Sequence, residues 1–200
     1  MNIGIEANRI YESFREKYNS GASLELIREE LARLEEIALS MDRPTTLAVA
    51  KIYFDRSMVD IHDFDRGIVF IYPLMEIEDP DALYVLGDNL LLYGKNERFK
   101  AQGEMMLRKS AEAGNTDAQI SLALHLLDDG FVKHNAQEGV EWLTRAAKAN
   151  DAEAQFLLAC EYDHGDETPH DKEAALFWAK QAEKNGNADA ILLVAVLEDS

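Results

Sequence analysis

The sequence predicts an all-α protein made of stacked antiparallel helix pairs. Three observations carry this. A unit of 36 residues recurs, its apolar residues fall at helical spacing, and glycine or asparagine separates the copies. Ala82, Ala118, Ala154 and Ala190 are 36 residues apart, with Leu86, Leu122, Leu158 and Val194 four residues on and Gly87, Ala123, Ala159 and Ala195 next. In a second segment Gly103, Gly139 and Ala175 align, then Met106, Trp142 and Trp178, then Ser110, Ala146 and Ala182. Gly114-Asn115, Asn150-Asp151 and Gly186-Asn187 stand between units. Such units cannot bury their apolar faces alone, so they stack.

Taken in order, residues 1–43 follow a different pattern. Ile3, Ala7, Ile10, Phe14 and Tyr18 lie along one helical face, which Asn19-Ser20-Gly21 ends. Ser23 is placed to cap a second helix with the stripe Leu24, Ile27, Leu31, Leu34, Ala38 and Met41. This hairpin reads as a terminal cap that shields the end of a stack. Residues 44–80 read as a divergent first repeat. Pro44 suits a first helical turn, whereas Pro73 falls inside the second helix, where it would kink or end it. Regular repeats are expected at 81–116, 117–152 and 153–188, with a last helix at 189–200, all as one continuous domain. The apolar outer face of that last helix (Leu192, Leu193, Val196) implies either tight folding onto the preceding pair or weak self-association.

Composition narrows the function. The chain has 200 residues, 47% of them hydrophobic, enough for a sizeable core. Met1–Ile10 is not a charged-then-apolar leader, and no apolar run approaches the roughly 20 residues of a membrane span. One cysteine, Cys160, excludes an intrachain disulfide framework. A cytoplasmic protein is expected. The net charge is −18, of which −3 falls on residues 1–43 and −15 on the remainder. That field repels nucleic-acid phosphate and anionic lipid, and steers basic proteins inward; excess acid also serves plain solubility.

With the repeated alanine as position 0, the core stripe is 0, +4, +5 and +8. Positions −1, +2, +6, +9 and +10 point roughly opposite, by the helical step of about 100° per residue. They hold Tyr84, Ile120, Phe156 and Leu192 at +2, and Asp88, Leu124, Cys160 and Val196 at +6. At +9 stand Leu91, Leu127 and Asp163; at +10, Leu92, Asp128 and His164; at −1, Asp81, Asp117, Glu153 and Asp189. An apolar strip flanked by acids suits a partner with apolar anchors and Lys/Arg edges. The competing reading buries these apolar residues inside a tight superhelix.

The motif A-x-x-x-L-G-x-x-Y, then G, then A-x-x-W-x-x-x-A-A-x-x-G-N-x-x-A resembles the Sel1-like repeat, a relative of the tetratricopeptide repeat. Ala154-Leu158-Ala159-Tyr162-Gly165, followed by Ala175-Trp178-Ala182-Gly186-Asn187-Ala190, matches it best, and the resemblance covers roughly Asp79–Ser200. It implies a right-handed α-solenoid that binds proteins and performs no chemistry, with the outward face lining a concave groove. Ala159 replaces the motif's glycine, and Tyr93–Ala101 lacks its G-x-G-V loop.

Candidate chemistry is thin. DHGDETPHD (Asp163–Asp171) gathers two histidines and four carboxylates in one inter-helix loop, without ligands at fixed helical spacing. No G-x-S-x-G, P-loop or G-x-G-x-x-G occurs, and Cys160 has no evident activating histidine. No catalytic residue, metal or cofactor is expected. The expected function is a non-catalytic scaffold that grips a protein through Tyr84, Asp88, Leu91, Asp117, Ile120, Leu124, Leu127, Asp128, Glu153, Phe156, Cys160 and Asp163. The alternative is a bacterial immunity protein that covers the active site of a basic toxin such as a nuclease. A hydrolase ranks below both.

Overall fold

The structure is a computed structural model and describes residues 3–40, 42–58, 62–128, 135–164 and 170–199. Among the described residues there are eleven α-helices and no strand. They are α1 (Ile3–Asn19), α2 (Leu24–Leu39), α3 (Arg43–Phe54), α4 (Phe64–Glu76), α5 (Pro80–Tyr93) and α6 (Glu97–Glu112), then α7 (Thr116–Leu127), α8 (Ala136–Lys148), α9 (Ala152–His164), α10 (Lys172–Lys184) and α11 (Asp189–Asp199). The chain forms two compact units, Met1–Met106 and Leu107–Ser200.

In the first unit α1 and α2 both pack on α3, which also packs on α4 and α5. Phe14, Ile27, Leu47, Ile52, Met58 and Ile71 are fully buried there. Ser23 caps α2 as its type and place require, accepting from the Leu26 amide at 3.3 Å. Leu24, by contrast, is exposed in the first turn of α2; Met41, the other end of that stripe, lies outside the described residues. Pro73 does not end α4, which continues to Glu76. Two polar clusters fasten these helices. Tyr11 donates to Asp55 at 2.7 Å, and Tyr53 donates to Glu35, which also accepts from Arg66 Nε at 2.7 Å. Burial alone would raise both carboxylates; hydrogen bonds outweigh it and hold them below their usual range. For Glu35 the donors are Arg66 and Tyr53; for Asp55 they are Ser57 and Tyr11.

In the second unit each helix packs on the next, from α7 through α11. Ala118, Leu122, Ala123 and Leu126 on α7 and Ala154, Leu158 and Ala159 on α9 are buried, as the stripe predicts. Gly114 and Gly186 sit at φ +92° and +95°, and Asn150 takes the same left-handed turn at φ 66°.

Two further periodic devices were not evident in the apolar pattern. Asp79, Asn115, Asp151 and Asn187 each accept a bond from the position-0 alanine amide, at 2.8 to 3.1 Å, and so cap every first helix. At +1, Gln119 and Gln155 are buried and donate to Ala111 O (2.9 Å) and Ala147 O (3.0 Å), each clipping a first helix to the helix before it. The two clips differ at their oxygens. Gln155 Oε1 accepts from Asn185 at 2.8 Å, whereas Gln119 Oε1 is buried with no partner. The residue 36 places before Asn185 is Ala149, which has nothing to donate, and both positions are helix C-caps of nearly the same backbone shape (φ −78°, ψ 7° against φ −89°, ψ 6°). Ala149→Asn is therefore expected to stabilise the fold by about 1 kcal/mol, read as a raised urea midpoint.

Small residues mark the closest helix approaches, unequally. A methyl on Gly103 would stand 2.6 Å from Gly87 O and 2.7 Å from Leu91 N, both backbone atoms that cannot step aside. On Gly139 its nearest neighbour would be Leu127 Cγ at 2.8 Å, a side chain that can turn. At Ala175 the methyl is already present and buried. Gly103→Ala should cost about 2 kcal/mol. Gly139→Ala should cost less than ~1 kcal/mol, because helix propensity offsets a small repacking. Urea unfolding of the two variants side by side checks the ordering.

Candidate protein-binding face

The face opposite the core stripe is built by helix geometry alone. With about 100° of turn per residue, core positions 0, +4, +5 and +8 gather on one side of a helix, and positions +2, +6, −1 and +10 gather on the other. Position +9 falls at the border between the two sides, next to +5. The structure follows this division. Leu91 is 6% exposed and belongs to the core, where α6 crosses α5 at Gly103. Leu127, also at +9, is half-buried against α8 at Gly139. Leu91 therefore supports the repeat and does not form an outward surface, contrary to the expectation from sequence, while Leu127 is shared between the two sides.

The other expected residues are placed as follows. Tyr84 and Asp88 are half-buried on α5 of the first unit. In the second unit, α7 carries Asp117, exposed, Ile120, half-buried, and Leu124, 45% exposed; Asp128 follows it, exposed. On α9, Glu153 is exposed, and Phe156, Cys160 and Asp163 are half-buried. On α11 the same positions are barer still, Leu192 at 72% and Val196 at 60%, while Leu193 is half-buried against Ala175, Val194 and their neighbours. Ala195, at a core position elsewhere, is exposed on α11.

The electrostatics of this face are acidic. Burial first, then the carboxylates of Asp163, Glu161 and Glu153, push the Cys160 thiol up. The thiol stays protonated at neutral pH, which suits an apolar contact and not a nucleophile. Glu153 also accepts from Asn187 Nδ2 at 3.1 Å, linking the α9 start to the cap of α11. Residues 107–200 hold 18 acids against 8 bases.

Of the histidine-rich loop, His164 Nδ1 lies 2.6 Å from Asp163 Oδ2, and His170 Nδ1 2.7 Å from the Asp163 carbonyl. Residues 165–169 lie outside the described residues, as do Gly130 and His134. Among the described residues no group of three His, Cys, Asp or Glu is arranged to hold a metal ion, and no helix is long and apolar enough to cross a membrane.

The first unit has clefts of its own, which the repeat pattern did not indicate. One of about 210 Å³ is bordered by Tyr11, Lys51, Asp55, Tyr84 and Asp88, and one of about 430 Å³ by Arg56, His62, Tyr93, Lys95 and Phe99.

Capped helix pairs at a fixed 36-residue step, with alanines at the crossings, define an α-helical repeat protein of the tetratricopeptide-like kind. The chain belongs to the Sel1 repeat family, whose repeat matches residues 80–115, 116–151 and 152–187. Repeats of this family generally mediate protein–protein interaction as non-catalytic scaffolds. Two solved structures are similar. A Sel1 repeat protein from Oxalobacter formigenes is 25% identical, with TM-score 0.56 over 65% of this chain and 98% of its own. A protective antigen present in uropathogenic Escherichia coli strains, displaying an SLR fold, is 25% identical with TM-score 0.63 over 94% of this chain. The chain spans 40% of that antigen's length. No curated protein matches the chain.

Proposed function

We propose that this protein is a non-catalytic scaffold that holds a protein partner on the outward face of its first helices, chiefly those of the second unit. One observation carries the proposal. Apolar residues recur at +2 and +6 on α7, α9 and α11, none of them fully buried and those of α11 the barest, and each helix carries an exposed acid at −1. Core stacking needs neither feature, since positions 0, +4, +5 and +8 already supply the buried stripe of α7. Ile120, Leu124 and Phe156 are the anchors for a partner's apolar side chains. Asp117, Glu153 and Asp189 meet its Lys/Arg edge, which steers encounter more than it adds affinity. No observation favours the inhibitor reading over this broader one.

Salt separates the two contributions. A partner retained by the immobilised protein should associate more slowly as salt rises from about 0.05 to 0.5 M, with its dissociation rate little changed. An association rate insensitive to salt would remove the acidic residues from the proposed site.

A further inference from the structure

Second helices cover one particular side of the first helices in the second unit. α8 packs on α7, and α10 packs on α9. The crossing falls at +5. A methyl on Gly139 of α8 would stand 3.1 Å from the Ala123 carbonyl, and Ala175 of α10 is buried in one apolar cluster with Ala159. Each second helix starts beside +8 of the first, since the Asn135 amide donates to Leu126 O and the Asp171 amide to Tyr162 O, both at 2.9 Å. Positions +1, +5 and +8 share one side of a helix by its step of about 100° per residue. On α7 that side is buried as Gln119, Ala123 and Leu126; on α9 Gln155 and Ala159 are buried and Tyr162 is half-buried.

α11 repeats the register of a first helix. Ala190 and Val194, at 0 and +4, are buried as their counterparts are, and α11 packs on α10. Its +1, +5 and +8 side is bare, with Ile191 at 55% exposure and Ala195 and Glu198 exposed as well. Alanine at +5 is the residue type that lets another backbone approach closely, as at Ala123 and Ala159. Charge then selects the occupant. α11 carries Asp189, Glu198 and Asp199 and no base, and Glu198 already draws one cation, Lys180 of α10, at 2.6 Å. A second copy of α11 laid across the first would set acids against acids in a chain of net charge −18, whereas a basic segment is attracted.

We propose that this side of α11 binds an α-helix of a partner protein, added as α8 is added to α7 and α10 to α9. The helix carries glycine or alanine where it crosses Ala195 and a large apolar residue three places on, as Trp142 and Trp178 follow Gly139 and Ala175. It carries Lys or Arg in its first turn, beside Glu198 and Asp199. This surface is separate from the +2 and +6 anchors of α7 and α9, and rests on no part of that reading.

The test is a ¹H–¹⁵N NMR titration of the full chain with a synthetic peptide of residues 171–184, the α10 sequence, carrying Glu173→Lys. The Ile191, Ala195 and Val196 amides are expected to shift with Kd of about 1 mM, the scale for an isolated helix of this length. Ala175→Leu in the peptide blocks the crossing and should weaken binding about tenfold. Restoring Glu173 should weaken it about threefold at low salt. Ala195→Leu in the protein, at an exposed position, should keep the unfolding midpoint and weaken binding about tenfold or more. Shifts confined to α9, equal affinity of the Ala175→Leu peptide, or full binding by the Ala195→Leu protein would each overturn the proposal. So would a dimer in sedimentation velocity that Ala195→Leu dissociates, which would assign this side to a second copy. Ile120, Leu124 and Phe156 are unaltered throughout, so failure here and failure of the outward face are told apart.

Discussion

Replacing Leu122 by alanine is expected to lower the unfolding free energy by about 3 kcal/mol. Leu122 is wholly buried at +4 of α7, on the stripe with Ala118, Ala123 and Leu126. Two of these three neighbours are alanines, which have no side-chain length to turn into a cavity, so the site collapses poorly. Leu158, its counterpart on α9, is equally buried and should behave alike. Urea unfolding followed by far-UV circular dichroism checks both. A loss below about 1 kcal/mol would show that the stripe is not the packing seam it is taken to be.

Replacing Asp79 by alanine is expected to cost about 2–3 kcal/mol, for two separable reasons. Asp79 is 3% exposed, caps α5 through the Ala82 amide at 3.1 Å, and pairs with Arg43 at the start of α3. Its counterparts Asn115, Asp151 and Asn187 keep the cap but stand at positions without this ion pair. Asp79→Asn should therefore restore the cap and recover about half the loss. Arg43 is partly exposed and can turn to water, which holds the cost below that of a fully buried pair. Equal losses for the alanine and asparagine variants would assign the whole effect to the pair.

The repeat was legible because its apolar letters keep one step of 36. The alanines at 82, 118, 154 and 190 located the helix crossings, and the glycines at 103 and 139 the closest approaches. The polar half of the design was harder to see. Asn115, Asp151 and Asn187 read only as turn letters and Asp79 only as the start of the repeated region, although their shared spacing was available to find them. Gln119 and Gln155 sit at +1, where a glutamine reads as surface until its bond to a carbonyl of the preceding helix is known. Leu91 was misplaced because +9 lies at the edge of two faces, and neighbouring packing decides which one it joins. The clefts of the first unit depend on residues outside the period, including Tyr11 of α1 and Arg56 and His62 after α3. Self-comparison carries no signal for such residues.

The central claim is that the outward apolar residues of the second unit hold the partner. Its most direct test measures the affinity of a partner captured by the wild-type protein for an Ile120→Ala, Leu124→Ala, Phe156→Ala variant whose unfolding midpoint is first shown to be retained. A loss of about 100-fold, carried mainly by faster dissociation, is the predicted result. Undiminished affinity in the folded variant would contradict the claim and move the site off this face.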